Sequence, residues 1–146
     1  MDKKITNIKG RQVFDSRGNP TVEAEVYLED GSSASAIVPS GASTGKHEAF
    51  ELRDLKNKEY LGKSVLNAVK NINVIISKNL NNFDIFDQRK LDNALIDLDG
   101  TKQKDKLGAN SILAVSIAAC KLAALSKKIS LFKYLGGSTN NQMPLP

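Results

Sequence analysis

The chain has one cysteine, one histidine and no tryptophan, and aromatic residues make up only 5% of it. A single thiol, Cys120, cannot close an internal disulfide, so nothing in the cysteine usage calls for an oxidising compartment, and the cytoplasm is the default expectation. A single histidine, His47, excludes a histidine-rich zinc site; a lone loop histidine is more often a surface or capping group than a catalyst. The opening run MDKKITNIKG lacks the apolar stretch of roughly 7–15 residues that a secretory signal needs after its charges. The longest apolar run, 109–125, is interrupted by Asn110, Ser111, Ser116 and Lys121 and falls short of the roughly 20 residues that span a bilayer, so no membrane segment is expected. There is no block of one charge either. The net charge is +5, but the lysines are scattered from Lys3 to Lys106 and beyond. Without a basic face interleaved with stacking aromatics, no nucleic-acid binding is expected.

What is present fits one soluble domain. A chain of 146 residues, 40% apolar and 25% charged, is long enough to bury its own core and lies near ordinary globular composition. Val22, Ala24, Val26 and Leu28 alternate with Thr21, Glu23, Glu25, Tyr27 and Glu29, which is the period of a half-buried strand. Asp30 and Gly31 give a strong hairpin signal, so Ser33 to Val38 should return antiparallel beside it. Ile5 to Phe14 is a weaker strand, joined through the turn-rich run Asp15 to Pro20.

After Gly45 the period changes to that of helices. Leu66, Val69, Ile72 and Ile76 mark a stripe on a helix over about 64–77, and Leu91, Leu95 and Leu98 one over about 87–98. The longest helix should start near Asn110, a candidate N-cap with Ser111, and run to Lys127 and Lys128, whose charges suit the negative end of a helix dipole. Its apolar residues surround nearly the whole circumference, so it must be buried on several sides by other helices or by a second domain. Strands followed by helices predict an α+β fold, a three-stranded antiparallel sheet and about four helices. Residues 1–137 would form the domain. Residues 138–146, rich in Gly, Asn and Pro, would form a linker into something further.

The segment with the most chemical promise is Pro39, Ser40, Gly41, Ala42, Ser43, Thr44, Gly45. Small residues in a row cannot pack a core, and the two glycines can act as hinges, so a loop free to move is expected. Its hydroxyls and backbone groups suit a hard cation such as Mg²⁺, or a phosphate. Two readings stay open at this point, an inert connector and a lid. A nucleotide-binding phosphate loop is a near miss, because the first glycine is replaced by Ser40 and His47 stands where the hydroxyl ligand is required. Asp97, Asp99 and Gly100 resemble a calcium loop, but Thr101 and Lys102 occupy its fifth and sixth positions, which leaves a polar turn closing a helix. Cys120, inside an apolar helix, favours packing over reactivity.

The wording of the motifs goes further. DSRGNPTVE (15–23), IVPSGASTGKHEAFELRD (37–54), IDLDGT (96–101) and LGANSILAVS (107–116) resemble, in order and spacing, the amino-terminal part of the enolase family. The fit departs after Asp54, at Leu55, Lys56 and Asn57, which touches only a surface loop. The resemblance implies reversible dehydration of 2-phosphoglycerate, a small phosphorylated substrate, to phosphoenolpyruvate in glycolysis and gluconeogenesis. It also implies two Mg²⁺ per active site, with the lysine base, the acid and the main metal carboxylates on a following (β/α)8 barrel. Nothing in this chain matches those catalytic groups, so the chain should be inactive alone.

Carried over residue by residue, Ser40, Gly41, Ala42, Ser43 and Thr44 match the loop that closes over substrate, and Ser43 matches a ligand of the second Mg²⁺. Arg11 and Glu23 match positions that form ion pairs across a dimer interface, in a homodimer or higher oligomer of the full-length protein. Glu23 on its own pattern would be a solvated strand face; the resemblance reverses that reading. The competing expectation is a stand-alone, non-catalytic binding or structural module with the same fold.

Overall fold

The computed structural model describes residues 3–39, 45 and 48–137. Strands β1 (Ile5–Phe14), β2 (Pro20–Leu28) and β3 (Ser33–Val38) form an antiparallel sheet in the order β1-β2-β3. Side-chain oxygens set both connections. Asp15 Oδ1 accepts from the Arg17 and Asn19 amides, each at 2.8 Å, and Asp30 Oδ1 accepts from the Ser32 amide at 3.0 Å. Such Asx turns explain why aspartate opens each of the two reversals.

Helices follow. α1 (Leu66–Lys70) continues through a π-helical stretch (Asn71–Ile76) into α2 (Ser77–Asn79), all as one run; then come α3 (Gln88–Asp99), α4 (Ala109–Ser126) and α5 (Leu131–Gly136). The α+β class and the strand bounds agree with the periodicity of the sequence. The first helix departs from it in detail, because Leu66 is exposed while Val65 and Ala68 are buried beside Ile72 and Ile76. The buried set keeps the three- and four-residue steps of one helix face, and the wider turn of the π-helical stretch begins only after Leu66 and Ala68.

That wide turn also presents Asn73 to the sheet. Its side-chain amide accepts from Gly10 N at 2.8 Å and donates to Gly10 O, 3.1 Å away. Ser77 Oγ accepts weakly from Ile8 N at 3.4 Å. Gly10 has to be glycine here, since a Cβ would sit 2.9 Å from Ile72 Cβ. Past it, Ile5 N donates to Phe83 O at 2.9 Å and Ile5 O accepts from Asn82 N at 2.8 Å. On the other edge, Lys121 Nζ donates to Ser35 O at 2.9 Å.

The core lies between the inner face of the sheet and the helices. Ile8, Val22, Ala24, Val26 and Ala36 face inward, with Ala114, Val115, Ala118, Ala119, Leu122 and Ala123 of α4 buried in the same cluster. Alanine on both surfaces lets the helix axis approach the sheet closely. α4 also contacts α3 and α5, so elements of this chain supply the several-sided burial that its composition demands; Leu113 and Leu125 remain exposed. By length and hydropathy alone α4 would pass as a membrane span, yet 56% of its residues are buried inside the domain.

Capping of the helices differs from expectation in one place. Asp87 caps α3 by accepting from Lys90 N at 3.0 Å, and Gly100, at φ +69, ends it. At α4, however, the N-cap is Gly108 and Asn110 lies inside the first turn. Ser111 turns its hydroxyl back onto the carbonyls of Leu107 and Gly108. At the far end, the Lys127 ammonium lies over the rings of Phe86 and Tyr134, 5.0 and 5.2 Å from their centroids.

Candidate functional site

The loop that leaves β3 is defined structurally by its stems. Ser40, Gly41, Ala42, Ser43 and Thr44, with the expected metal ligand Ser43 among them, lie outside the described residues, as does His47. Upstream, the buried Thr21 donates its hydroxyl to Val38 O and fixes the end of β3. Downstream, the Phe50 amide donates to Gln103 O at 2.6 Å, and Phe50 O accepts from Ala109 N at 2.8 Å. Leu52 N donates to Asn110 Oδ1 at 3.2 Å, and Asn110 Nδ2 donates to Leu52 O, 3.1 Å away. This explains why Asn110 is not the N-cap: its amide is committed to another segment.

Arg53 and Asp54 continue the attachment. Arg53 Nη1 donates to Pro20 O at 3.1 Å and also to Lys63 O, while Nη2 pairs with Glu51 at 2.8 Å. Asp54, mostly buried, accepts from Leu66 N at 2.7 Å and Asn67 N at 3.2 Å. Its carboxylate therefore serves the first orphan amides of α1. An open groove of about 640 Å³ runs along Arg53 to Asn57, Leu66 and Asn67; its acid is already spent on the helix.

The second candidate region is the outer face of the sheet, where the register sets Arg11 opposite Glu23. Arg11 Nη1 lies 3.1 Å from Glu23 and Nη2 lies 2.6 Å from Glu25. The Tyr27 hydroxyl donates to Glu25 Oε2 at 2.6 Å and Ser33 Oγ donates to Oε1 at 2.9 Å. Hydrogen bonds from Tyr27, then Arg11, then Ser33, bring the Glu25 carboxyl down to about 2 against the cost of burial. The same bonds to Glu25, Tyr27 and Glu23 hold the Arg11 guanidinium firmly protonated. Arg11 and Glu23 are thus brought together within one chain, and Glu25 and Tyr27 join them. Their place at alternate positions of β2, on the face of Glu23, was the available signal.

The remaining candidates have structural roles. Asp99, nearly fully buried, accepts from both the amide and the hydroxyl of Thr101 and from Leu107 N. Burial opposes its charge, but these hydrogen bonds hold its carboxyl below the usual range. It is a turn closing a helix, as the calcium-loop mismatch implies. Burial pushes the Cys120 thiol up, away from reactivity. Among the described residues no group of three or more His, Cys, Asp or Glu side chains is placed to hold a metal ion.

The model of the family described as "Enolase, N-terminal domain" matches residues 5–135 of the chain, from the start of β1 almost to the end of α5. The chain belongs to the enolase family. The enolase of Pelagibacter ubique (strain HTCC1062) is 59% identical to it over 143 residues, which is 98% of this chain and 34% of that protein. The chain therefore spans about a third of the length of this curated enolase. Both findings place the enolase match across the whole sheet and its covering helices.

Proposed function

We propose that this chain is the amino-terminal, loop-bearing part of an enzyme that reversibly dehydrates 2-phosphoglycerate to phosphoenolpyruvate in glycolysis and gluconeogenesis, acting in the cytoplasm. The observation that carries the reading is the enolase N-terminal match over residues 5–135, which contains the VPSGASTG loop held between two fixed stems. On this reading residues 1–137 are the domain, and residues 138–146 link it to a (β/α)8 barrel that supplies the base, the acid and the metal carboxylates. A homodimer using Arg11 and Glu23 is part of the same proposal.

The candidate ligand on this chain, as the family resemblance implies, is Ser43, a residue type whose hydroxyl and carbonyl oxygens are the hard donors Mg²⁺ takes. Two such ions, when bound, offset the negative charge that builds beside the substrate carboxylate as its neighbouring proton leaves. The chain's own part is to bring Gly41, Ala42, Ser43 and Thr44 over the substrate and exclude water.

A specific surface favours this over a stand-alone module. Leu61 is 92% exposed, and the neighbouring Tyr60, also exposed, meets the exposed Phe14 edge to face at 5.4 Å. A free-standing module would carry polar residues there. Two measurements test the proposal. The barrel-bearing protein should turn over 2-phosphoglycerate with Mg²⁺ while this chain alone does not; and this chain alone should bind a hydrophobic dye, where absence of binding supports the module.

A further inference from the structure

We infer that Asn110 and Gly108 are positioning residues, which fix the downstream end of the substrate-closing loop to the buried helix α4; the inference rests on the function proposed above. Residues 50–52 run against the start of that helix, and among the described residues no strand pairs with them. Their backbone groups are nevertheless satisfied in alternation, as in a strand ladder. Phe50 uses Gln103 O and Ala109 N, and Leu52 uses both ends of the Asn110 side-chain amide. A primary amide is suited to this because it presents one carbonyl and an N–H donor in a plane, as a peptide group does. Ala109 N is one of the first-turn amides of α4 that have no partner within the helix, so the same contact also completes the helix end.

Gly108 makes the approach possible. A Cβ on it would fall 2.5 Å from Leu52 Cβ and 2.6 Å from Asn110 Oδ1, and its φ of +90 disfavours any side chain. Asn110 is only 4% exposed, and Leu52 packs against the core. The loop's downstream end is therefore tied to the most buried helix of the domain, as its upstream end is tied to β2 through Thr21. Held this way, residues 50–54 need no ordering during closure; released, each would add its own entropic cost.

The test is Asn110→Asp and Gly108→Ala in the full-length, barrel-bearing protein. Asn110→Asp keeps the shape and the acceptor for Leu52 N, but sets a carboxylate oxygen against Leu52 O; Gly108→Ala pushes on the same contact from the other side. In both, amides of residues 50–54 should exchange with solvent about tenfold faster while those of Val22 and Val26 keep their protection. The kcat for 2-phosphoglycerate should fall about tenfold with KM within about twofold, the mark of a contact that serves closure and not ground-state binding. Exchange rising equally across the sheet, or not rising at 50–54, would overturn the anchor. So would faster exchange with unchanged kcat. A wild-type protein without turnover would instead sink the enolase reading, leaving the exchange pattern to decide the anchor separately.

Discussion

The two faces of the sheet are built by different physics. On the inner face Ile8, Val22, Ala24 and Val26 are sealed under α4 and the first helical run and hold by contact area, which is indifferent to direction. On the outer face Arg11, Glu23, Glu25, Tyr27 and Ser33 hold by aimed hydrogen bonds in a half-exposed setting. A surface of the first kind tolerates exchange of one apolar shape for another and punishes a cavity. One of the second kind contributes little to stability but fixes the direction of each of its groups. Burial and directed pairing are thereby divided between opposite sides of three strands.

The division can be broken most directly from the inside. Ile8→Ala removes a side chain that is 1% exposed and should cost about 2–5 kcal/mol in a urea titration, through lost transfer energy and the cavity left behind. A cost like that of a surface substitution would mean the core lies elsewhere. On the outer face Glu25→Gln should cost less than about 1 kcal/mol at neutral pH, as half-exposed ion pairs do.

Its pH dependence sharpens the contrast. Glu25 titrates near 2 in the folded chain and at about 4.3 when unfolded. Its contribution is therefore complete above the unfolded value and is lost as pH falls through the folded one. The stability difference between wild type and Glu25→Gln should be flat from about pH 5 to 8 and close between about pH 4.3 and 2. A gap that instead opened on acidification would contradict the assignment of the network to the ionised carboxylate.

The smallest stability effects should accompany the largest functional ones. Glu23→Ala is expected to leave the unfolding midpoint of the chain nearly unchanged, within about 0.5 kcal/mol, while weakening dimerisation of the full-length protein, readable by sedimentation. Ser43→Ala should be equally silent in stability and yet lower turnover sharply at limiting Mg²⁺. Unchanged kinetics there would remove Ser43 from the reaction.

Strand β2 was legible in the sequence because a period of two admits only one assignment of faces and the Asp-led turns place its neighbours; β1, whose register shifts between Ile5 and Asn7, was the weaker signal. The helix ends were less legible. Asn110 has the composition of an N-cap, and only the partner 58 positions earlier, Leu52, reveals that its amide is engaged across the domain. The first helix exposes Leu66 and buries Ala68, a choice of face left open by a pattern in which steps of three and four both look helical, and its π-helical stretch leaves no mark there. At the candidate sites, Arg11 opposite Glu23 follows from strand register, whereas Glu25 and Tyr27 needed the side-chain geometry. The fold was a matter of local periodicity; the anchors depend on pairings between distant segments, which periodicity does not encode.

The contacts made by Asn73, Ser77 and Lys121 also bear on how this chain behaves in a crowded solution. A three-stranded sheet has two edges, each a row of peptide groups that another molecule could extend into a longer sheet. Here the groups of Gly10 are occupied by Asn73, Ser77 engages the Ile8 amide, the start of β1 is paired with residues 82–83, and the carbonyl of Ser35 on β3 is taken by a lysine. The helices that cover the sheet's face thus also guard its rims, disfavouring strand-to-strand association along them.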